Sequence, residues 1–354
     1  MAIAESPSFS VHPYLQKRFD KVGQSLCFTG KTPRDVAAWQ KRARPQLGKL
    51  IGLDTMRTCP LKPQVTERVD CGDYVRERVV LQTEPGIFMP VYVLIPKQGS
   101  PPYPTVINPH GHGGGGKAAV AGIRDHPEIA GAIPKYNYDY GPAFCRAGFV
   151  SLCPDARGFG ERQETLAKSS VLNASCQWIN NMAIPLGQTV TGMWVWDLQR
   201  LIDYAATRPE CDLERLGCAG LSGGGLQTLW LTALDTRVKA AVVSGYFYGV
   251  KDSLLDLHGN CSCNYVPHLW ENADHGELGG LIAPRPLMVQ TGDADNLNGV
   301  NKLANVTPQV ARARKVYKAL GAESELVHDI FHGPHRWDGT NSIPFMVRKL
   351  TDEF

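Results

Sequence analysis

Gly220-Leu221-Ser222-Gly223-Gly224 fits the pattern G-x-S-x-G. The run Leu216 to Leu221 reads as a strand and Leu226 to Leu234 as a helix, so the serine falls on a sharp turn between them. Flanking glycines are needed there, because larger side chains would block the strained conformation that exposes the hydroxyl, and the helix N-terminus faces any developing negative charge. A serine hydroxyl is a weak nucleophile at neutral pH and needs a base, which in turn needs an acid to orient it. With this kind of turn the acid and base follow in the order Ser, Asp or Glu, His, each just past a strand. After the run Leu287 to Thr291 comes Gly292-Asp293-Ala294-Asp295-Asn296, and after Glu325 to Ile330 comes Phe331-His332-Gly333-Pro334-His335. The preferred set is Ser222, Asp295 and His335. Asp293 is the alternative acid, more often the kind of residue that caps a turn; His332 is the alternative base, and His328 lies inside the strand pattern.

Acyl transfer also needs donors for the oxyanion. Pro109-His110-Gly111-His112-Gly113-Gly114-Gly115-Gly116-Lys117 follows the strand Thr105 to Asn108 directly, and its glycines let backbone N–H groups come close to a reacting carbonyl. The expected donors are the N–H groups of Gly223 and His112, with Gly113 next. This loop does not match the G-x-x-x-x-G-K-[ST] motif of a phosphate loop, since Ala118 stands where Ser or Thr is required. A rival reading groups His110, His112, His332, His335 and Asp295 as a hydrolytic zinc site, but metal chemistry would not require the glycine-flanked serine. Cys261-Ser262-Cys263 has no second pair at ligand spacing and a disulfide across one residue is strained, so structural thiols are expected there. No metal and no cofactor is expected.

The elements that must hold these residues alternate along the chain. Tyr74 to Thr83 and Ile87 to Ile95 form a β-hairpin about Glu84-Pro85-Gly86. Short apolar strands follow at 105–108, 149–153, 216–221, 240–244, 287–291 and 325–330, separated by helix-length segments; Trp194, Leu198, Leu201, Ile202 and Ala205 mark one helix face. Such alternation predicts an α/β fold with a mostly parallel sheet covered on both faces and antiparallel strands at one edge. Residues 1–73 read as a helical extension packed on the main body: Thr32-Pro33-Arg34-Asp35 starts a helix whose apolar positions are Val36, Trp39, Ala43, Leu47, Leu50 and Ile51, with Pro45 expected to kink or split it. Residues 74–354 form the catalytic body. Residues 157–192 and 246–283 look like long loops over one end of the sheet, where Trp178, Tyr246, Phe247, Tyr248 and Trp270 would offer aromatic surface to a substrate.

The chain has 354 residues, 37 basic against 34 acidic, for a formal charge of +3, so neither nucleic acid nor an anionic membrane is indicated as a partner. No apolar run reaches the ~18 residues of a membrane helix. The first ten residues show no basic segment followed by an apolar one, and ten cysteines without a visible export signal suit buried thiols in a reducing compartment. A cytoplasmic location is expected, with secretion open if a leader has been removed.

Six segments in order resemble one family: His110-Gly111-His112-Gly113-Gly114; Cys153-Pro154-Asp155-Ala156-Arg157-Gly158-Phe159-Gly160-Glu161-Arg162; Gly220-Leu221-Ser222-Gly223-Gly224-Gly225; Leu281-Ile282-Ala283-Pro284-Arg285-Pro286; Gly292-x-x-Asp295; and Phe331-x-Gly333-x-His335-x-Trp337-x-Gly339. Over roughly residues 74 to 340 the chain is similar to α/β-hydrolases of the dienelactone-hydrolase and acetyl-xylan-esterase-like group. The resemblance implies Asp295 as acid, His335 as base and a carboxylic ester as substrate: acetyl groups on sugars or xylan fragments, or methyl esters of uronates. Dienelactone hydrolases proper carry cysteine where this chain has Ser222, which disfavours that activity. Arg157 is either structural or substrate-facing. A small-molecule or oligosaccharide ester is the partner so implied, and a homo-oligomer is compatible with it. A peptidase of this fold would usually carry a propeller or cap, for which seventy N-terminal residues are too few.

Overall fold

The computed structural model describes residues 9–165, 170–257 and 260–351; residues 1–8, on which part of the leader reading rests, lie outside them, as do 166–169 and 258–259 of the two expected loops. In chain order the helices are α1 (His12–Lys21), α2 (Pro33–Leu50), α3 (Lys117–Val120), α4 (Pro127–Tyr136), α5 (Tyr140–Arg146), α6 (Cys176–Ala183), α7 (Val190–Ala205), α8 (Gly223–Leu234), α9 (His275–Ile282), α10 (Leu303–Ala319) and α11 (Gly339–Leu350). The strands are β1 (Gln64–Asp70), β2 (Tyr74–Glu84), β3 (Ile87–Pro96), β4 (Tyr103–Ile107), β5 (Val150–Pro154), β6 (Cys211–Leu221), β7 (Ala240–Ser244), β8 (Leu287–Gly292) and β9 (Leu326–Phe331).

These form one nine-stranded sheet in the order β1-β2-β3-β5-β4-β6-β7-β8-β9. The pairings from β1 through β3 to β5 are antiparallel and those from β5 to β9 are parallel. It is the α/β-hydrolase architecture expected. Central strands are buried on both faces, which is why they read as unbroken apolar runs. Alternate residues serve opposite layers: Val106, Ala219 and Val242 pack with Phe144 of α5 and Phe345 and Met346 of α11. Ala241 and Val243 pack with Leu229 of α8, Leu278 of α9 and Val310 of α10. After β4 the chain moves to one side to form β5, then returns to form β6 on the other side of β4. Such a reversal opens a crevice beyond the C-terminal strand ends, and in this chain the glycine-rich loop after β4 and Ser222 after β6 both enter it.

Three expectations need correction. The N-terminal segment is not wholly helical, since β1 pairs with β2 and begins the sheet ten residues earlier than residue 74. Its sequence, Gln-Val-Thr-Glu-Arg-Val-Asp, lies almost wholly exposed at the sheet edge, so it carries no buried-strand pattern. Pro45 does not split α2, which runs through it from the capping box at Thr32 and Asp35. The two long connections also contain helices: α6 buries Cys176, Ile179, Asn180 and Ala183 at helical spacing, while α9 is buried at every position and therefore shows no amphipathic stripe.

A buried ion network ties these connections down. Asp197 of α7 accepts from Arg157 Nε and Nη2 at 3.0 and 2.8 Å and from Arg162 Nη1 at 2.7 Å. Arg157 also reaches Glu84 at 2.7 Å, so its role is to clamp the loop after β5 onto α7 and the β2–β3 turn. Burial pushes the Asp197 carboxyl up, but Arg162 and Arg157 outweigh it and hold the group at about 2. A folded-state value below the ordinary ~3.9 means that this stabilisation is complete above about pH 4 and is lost as pH falls towards 2. Asp197→Ala, which leaves buried guanidinium groups uncompensated, is expected to lower stability by about 3–5 kcal/mol at pH 7. In urea titrations the gap between wild type and variant should narrow below about pH 4; a pH-independent gap would contradict this assignment.

Candidate active site

Ser222 sits at the N-terminal end of α8 with φ 60° and ψ −119°, a positive φ held by a non-glycine residue. Backbone strain of this kind persists only where surroundings over-determine it. The Ser222 N–H donates to the Ser244 carbonyl at 2.9 Å, and the Ser222 carbonyl accepts from Leu226 N–H at 2.9 Å. The loop after β4 presses directly on this turn. A Cβ on Gly224 would lie 2.2 Å from the Pro109 oxygen, and one on Gly111 would lie 2.6 Å from the Leu221 oxygen and 2.9 Å from Ser222 Cβ. Only glycine permits that approach at either position.

The carbonyls of the loop are fixed one after another. Tyr140 Oη donates to Pro109 O at 2.6 Å, Gln227 Nε2 to His110 O at 3.0 Å, and Tyr138 Oη to His112 O at 2.7 Å. The far end is anchored by Asp155, which accepts from the backbone and ammonium of Lys117 at 2.7 and 2.8 Å. The N–H groups of His112 and Gly223 have no protein acceptor among the described residues. His110 is absorbed into this scaffold: its Nε2 accepts from Ala156 N–H at 3.0 Å, and burial pushes its pKa down.

His335 Nδ1 and Asp295 Oδ2 are 2.6 Å apart. Asp295 is buried, and its other oxygen accepts from Leu297 N–H at 2.8 Å. His335 lies against the turn after β7, where a Cβ on Gly245 would come within 2.8 Å of Cε1. Its Nε2 is buried with no hydrogen-bond partner among the described residues. Asp293 does different work: it accepts from His332 Nδ1 at 2.9 Å and from Gly333 N–H at 3.0 Å, pinning the loop that carries His335. The His332 side chain is 96% exposed. His328, in β9, meets Thr291 Oγ1 at 3.2 Å. Of the residues in the rival zinc reading, Asp295 and His335 pair with each other, while His110 and His332 are bonded elsewhere. Among the described residues the group brought within metal-ligand reach is instead His112, Cys176, Cys261 and Cys263.

A cavity of about 20 Å³, room for about one water molecule, is lined by His112, Ser222, Gly223, Leu226, Tyr246, Tyr248, Asn260, Cys263, Asn264 and Leu297. Tyr246 and Tyr248 accordingly face the serine, as expected of the aromatics in that connection. Phe247 does not: it is core, underneath Gly279 of α9. Trp270 packs on Phe19 of α1 in a separate apolar hollow, and Trp178 is exposed on α6. Asn260, Asn264 and Leu297 were not foreseen. Their segments have no periodicity, and a buried asparagine such as Asn264, which accepts from Tyr246 Oη at 2.7 Å, looks in sequence like any loop residue.

The Abhydrolase family pattern matches residues 10–313. The chain belongs to this family. It is 28% identical over 274 residues, 73% of its length and 84% of the relative's, to YtaP of Bacillus subtilis (strain 168), a protein assigned as a hydrolase. Among solved structures it resembles a protein of Bacteroides fragilis NCTC 9343 assigned as an acetyl xylan esterase, with a TM-score of 0.76 at 17% identity over 94% of this chain and 84% of that one. It also resembles a glucuronoyl esterase from Solibacter usitatus, with a TM-score of 0.65 at 16% identity over 99% and 100% of the two chains. At such identities the solved structures speak to the fold. No helix among the described residues is long and apolar enough to cross a membrane.

The two candidate acids separate by experiment. With p-nitrophenyl acetate as substrate, Asp295→Asn is expected to lower kcat by roughly 10⁴-fold, because the imidazole loses the partner that fixes its tautomer. Asp293→Asn is expected to cost less than about tenfold, through loop placement alone. The reverse ranking would assign the role to Asp293.

Proposed function

We infer that the protein hydrolyses carboxylic esters through an acyl-enzyme on Ser222. The observation that carries this reading is the 2.6 Å contact between His335 and Asp295, which leaves the second ring nitrogen buried and unpartnered. In the reading, Nε2 takes the Ser222 proton as Oγ attacks the ester carbonyl, and Asp295 steadies the imidazolium that forms. The oxyanion is received by the N–H groups of Gly223 and His112, held by a loop whose carbonyls already have partners, so little reorganisation accompanies the charge. Nε2 then protonates the leaving alcohol. The same nitrogen activates water for deacylation, and the carboxylic acid departs with Ser222 restored.

An acetyl group on a sugar or xylan fragment is the substrate this site fits best. The cavity beside Ser222 has room for about one water molecule and is walled by Leu226, Tyr246 and Tyr248, so it suits no acyl substituent larger than a methyl. Resemblance in fold to a protein assigned as an acetyl xylan esterase agrees with that choice. Resemblance to a glucuronoyl esterase supports uronate esters, methyl esters included, as the second reading.

A screen of acetylated xylo-oligosaccharides, methyl uronates, p-nitrophenyl acyl esters of increasing length and peptide amides, run beside Ser222→Ala, tests both readings. Turnover should fall by roughly four orders of magnitude or more in the variant. The wild type should prefer acetyl over longer acyl chains. An unchanged rate in Ser222→Ala would overturn the serine mechanism, whereas preference for methyl uronates or amides would keep the mechanism and replace the substrate.

A further inference from the structure

Four side chains with soft or imidazole donors converge beside the Ser222 cavity, whose lining includes two of them, His112 and Cys263. His112 Nε2 lies 3.8 Å from Cys176 Sγ and 3.7 Å from Cys263 Sγ. With Cys261 Sγ added, the four donor atoms all lie within 4.8 Å of one another. A tetrahedral zinc ion with Zn–S of about 2.3 Å and Zn–N of about 2.0–2.1 Å would set sulfur–nitrogen separations of about 3.6 Å and sulfur–sulfur separations of about 3.8 Å. The observed spacing is close to that frame before any ion draws it inward.

The supporting groups orient the set. The His112 ring packs edge-on against Phe159, with centroids 4.9 Å apart. Its Nδ1 faces the backbone of Gly223, where a Cβ would come within 2.9 Å, so Nε2 is directed at the sulfurs. Cys176 is the first residue of α6 and, like Cys263, is buried. The turn carrying Cys261 and Cys263 is fixed through its carbonyls: Asn264 Nδ2 donates to Cys261 O at 2.8 Å, Asn180 Nδ2 to Ser262 O at 2.8 Å, and Thr191 Oγ1 to Cys263 O at 2.6 Å. Ligands rarely act well without such outer support.

We propose that His112, Cys176, Cys261 and Cys263 bind one zinc ion in a closed Cys3His site that staples the wall of the active site. Four protein ligands leave no position for a metal-bound water, so the ion is structural and takes no part in hydrolysis. Binding exchanges three thiol protons for the ion, while the imidazole coordinates through Nε2 and keeps its proton on Nδ1. The ion joins the loop after β4, the start of α6 and the turn at 261–263, which are separate in sequence. It thereby fixes the residue whose N–H is assigned to the oxyanion, making His112 a positioning side chain as well. The site stands on these four residues whatever the substrate is.

The test uses the full chain produced in zinc-supplemented medium, purified without chelator and desalted. Metal analysis should give about one zinc per chain. Cobalt(II) exchanged into the same protein should show the ligand-field bands of a tetrahedral ion and thiolate charge-transfer absorption. Cys261→Ser, the least buried of the three thiols, should lower bound zinc by at least about tenfold, whereas Cys218→Ser, buried in the sheet core, should leave it unchanged. Should Cys261→Ser fail to fold, thiol titration of the wild type before and after chelation decides, with Cys176, Cys261 and Cys263 reacting only after the metal is removed. Zinc absent from protein grown and dialysed in its presence, octahedral or featureless cobalt spectra, or a disulfide joining Cys176 to Cys261 or Cys263 in non-reducing peptide maps would each overturn the proposal. Failure of the ester screen would leave it untouched.

Discussion

Two stretches of backbone meet at the centre of this molecule, and the rest is arranged around their contact. Pro109 O against Gly224 and Gly111 against Leu221 O leave no space for a side chain on either glycine. The approach sets the backbone of the loop after β4 directly against the start of α8. It also forces Ser222 into a positive φ that only tight packing sustains. Tyr138, Tyr140 and Gln227 satisfy carbonyls that this crowding would otherwise strand without water. The parallel sheet serves the contact too, because adjacent parallel strands β4 and β6 end side by side and release their chains into the same crevice.

What the sequence disclosed follows from where side chains are forced. The turn at Ser222, the glycine loop and the pairing of Asp295 with His335 were legible because close backbone approach permits few residue types and both side chains fall just past the ends of adjacent strands. The parallel strands were legible because burial on both faces demands continuous apolar runs. Opacity has equally physical sources. β1 faces solvent, and α9 faces protein on all sides, so neither carries a periodic stripe. Phe247 and Tyr246 are neighbours of the same chemical kind, and only the turn geometry sends one to the core and the other to the cavity. The grouping of Cys176 with Cys261 and Cys263 arises from tertiary folding of two irregular connections, whose spacing along the chain encodes nothing.

Charge is handled by the same economy of placement. Asp155, just after β5, and Asp197, inside α7, are buried, and each is neutralised by at least one cation and satisfied by further hydrogen bonds. Replacement of a carboxylate there would not remove one contact but release a length of connecting chain from the sheet. His335 differs, since one of its nitrogens is satisfied and the other is not.

The edge strand β1 carries a further consequence. Arg68 pairs with Glu77 and Arg76 with Glu67 across the β1–β2 ladder, so both faces of the strand present charge. A second sheet laid against this edge would have to desolvate those groups while matching their order, which few sequences could do. The nine-stranded sheet is therefore capped at this end by composition rather than by a covering helix. The residues that conceal β1 from a hydrophobicity pattern are the ones that stop the sheet from growing.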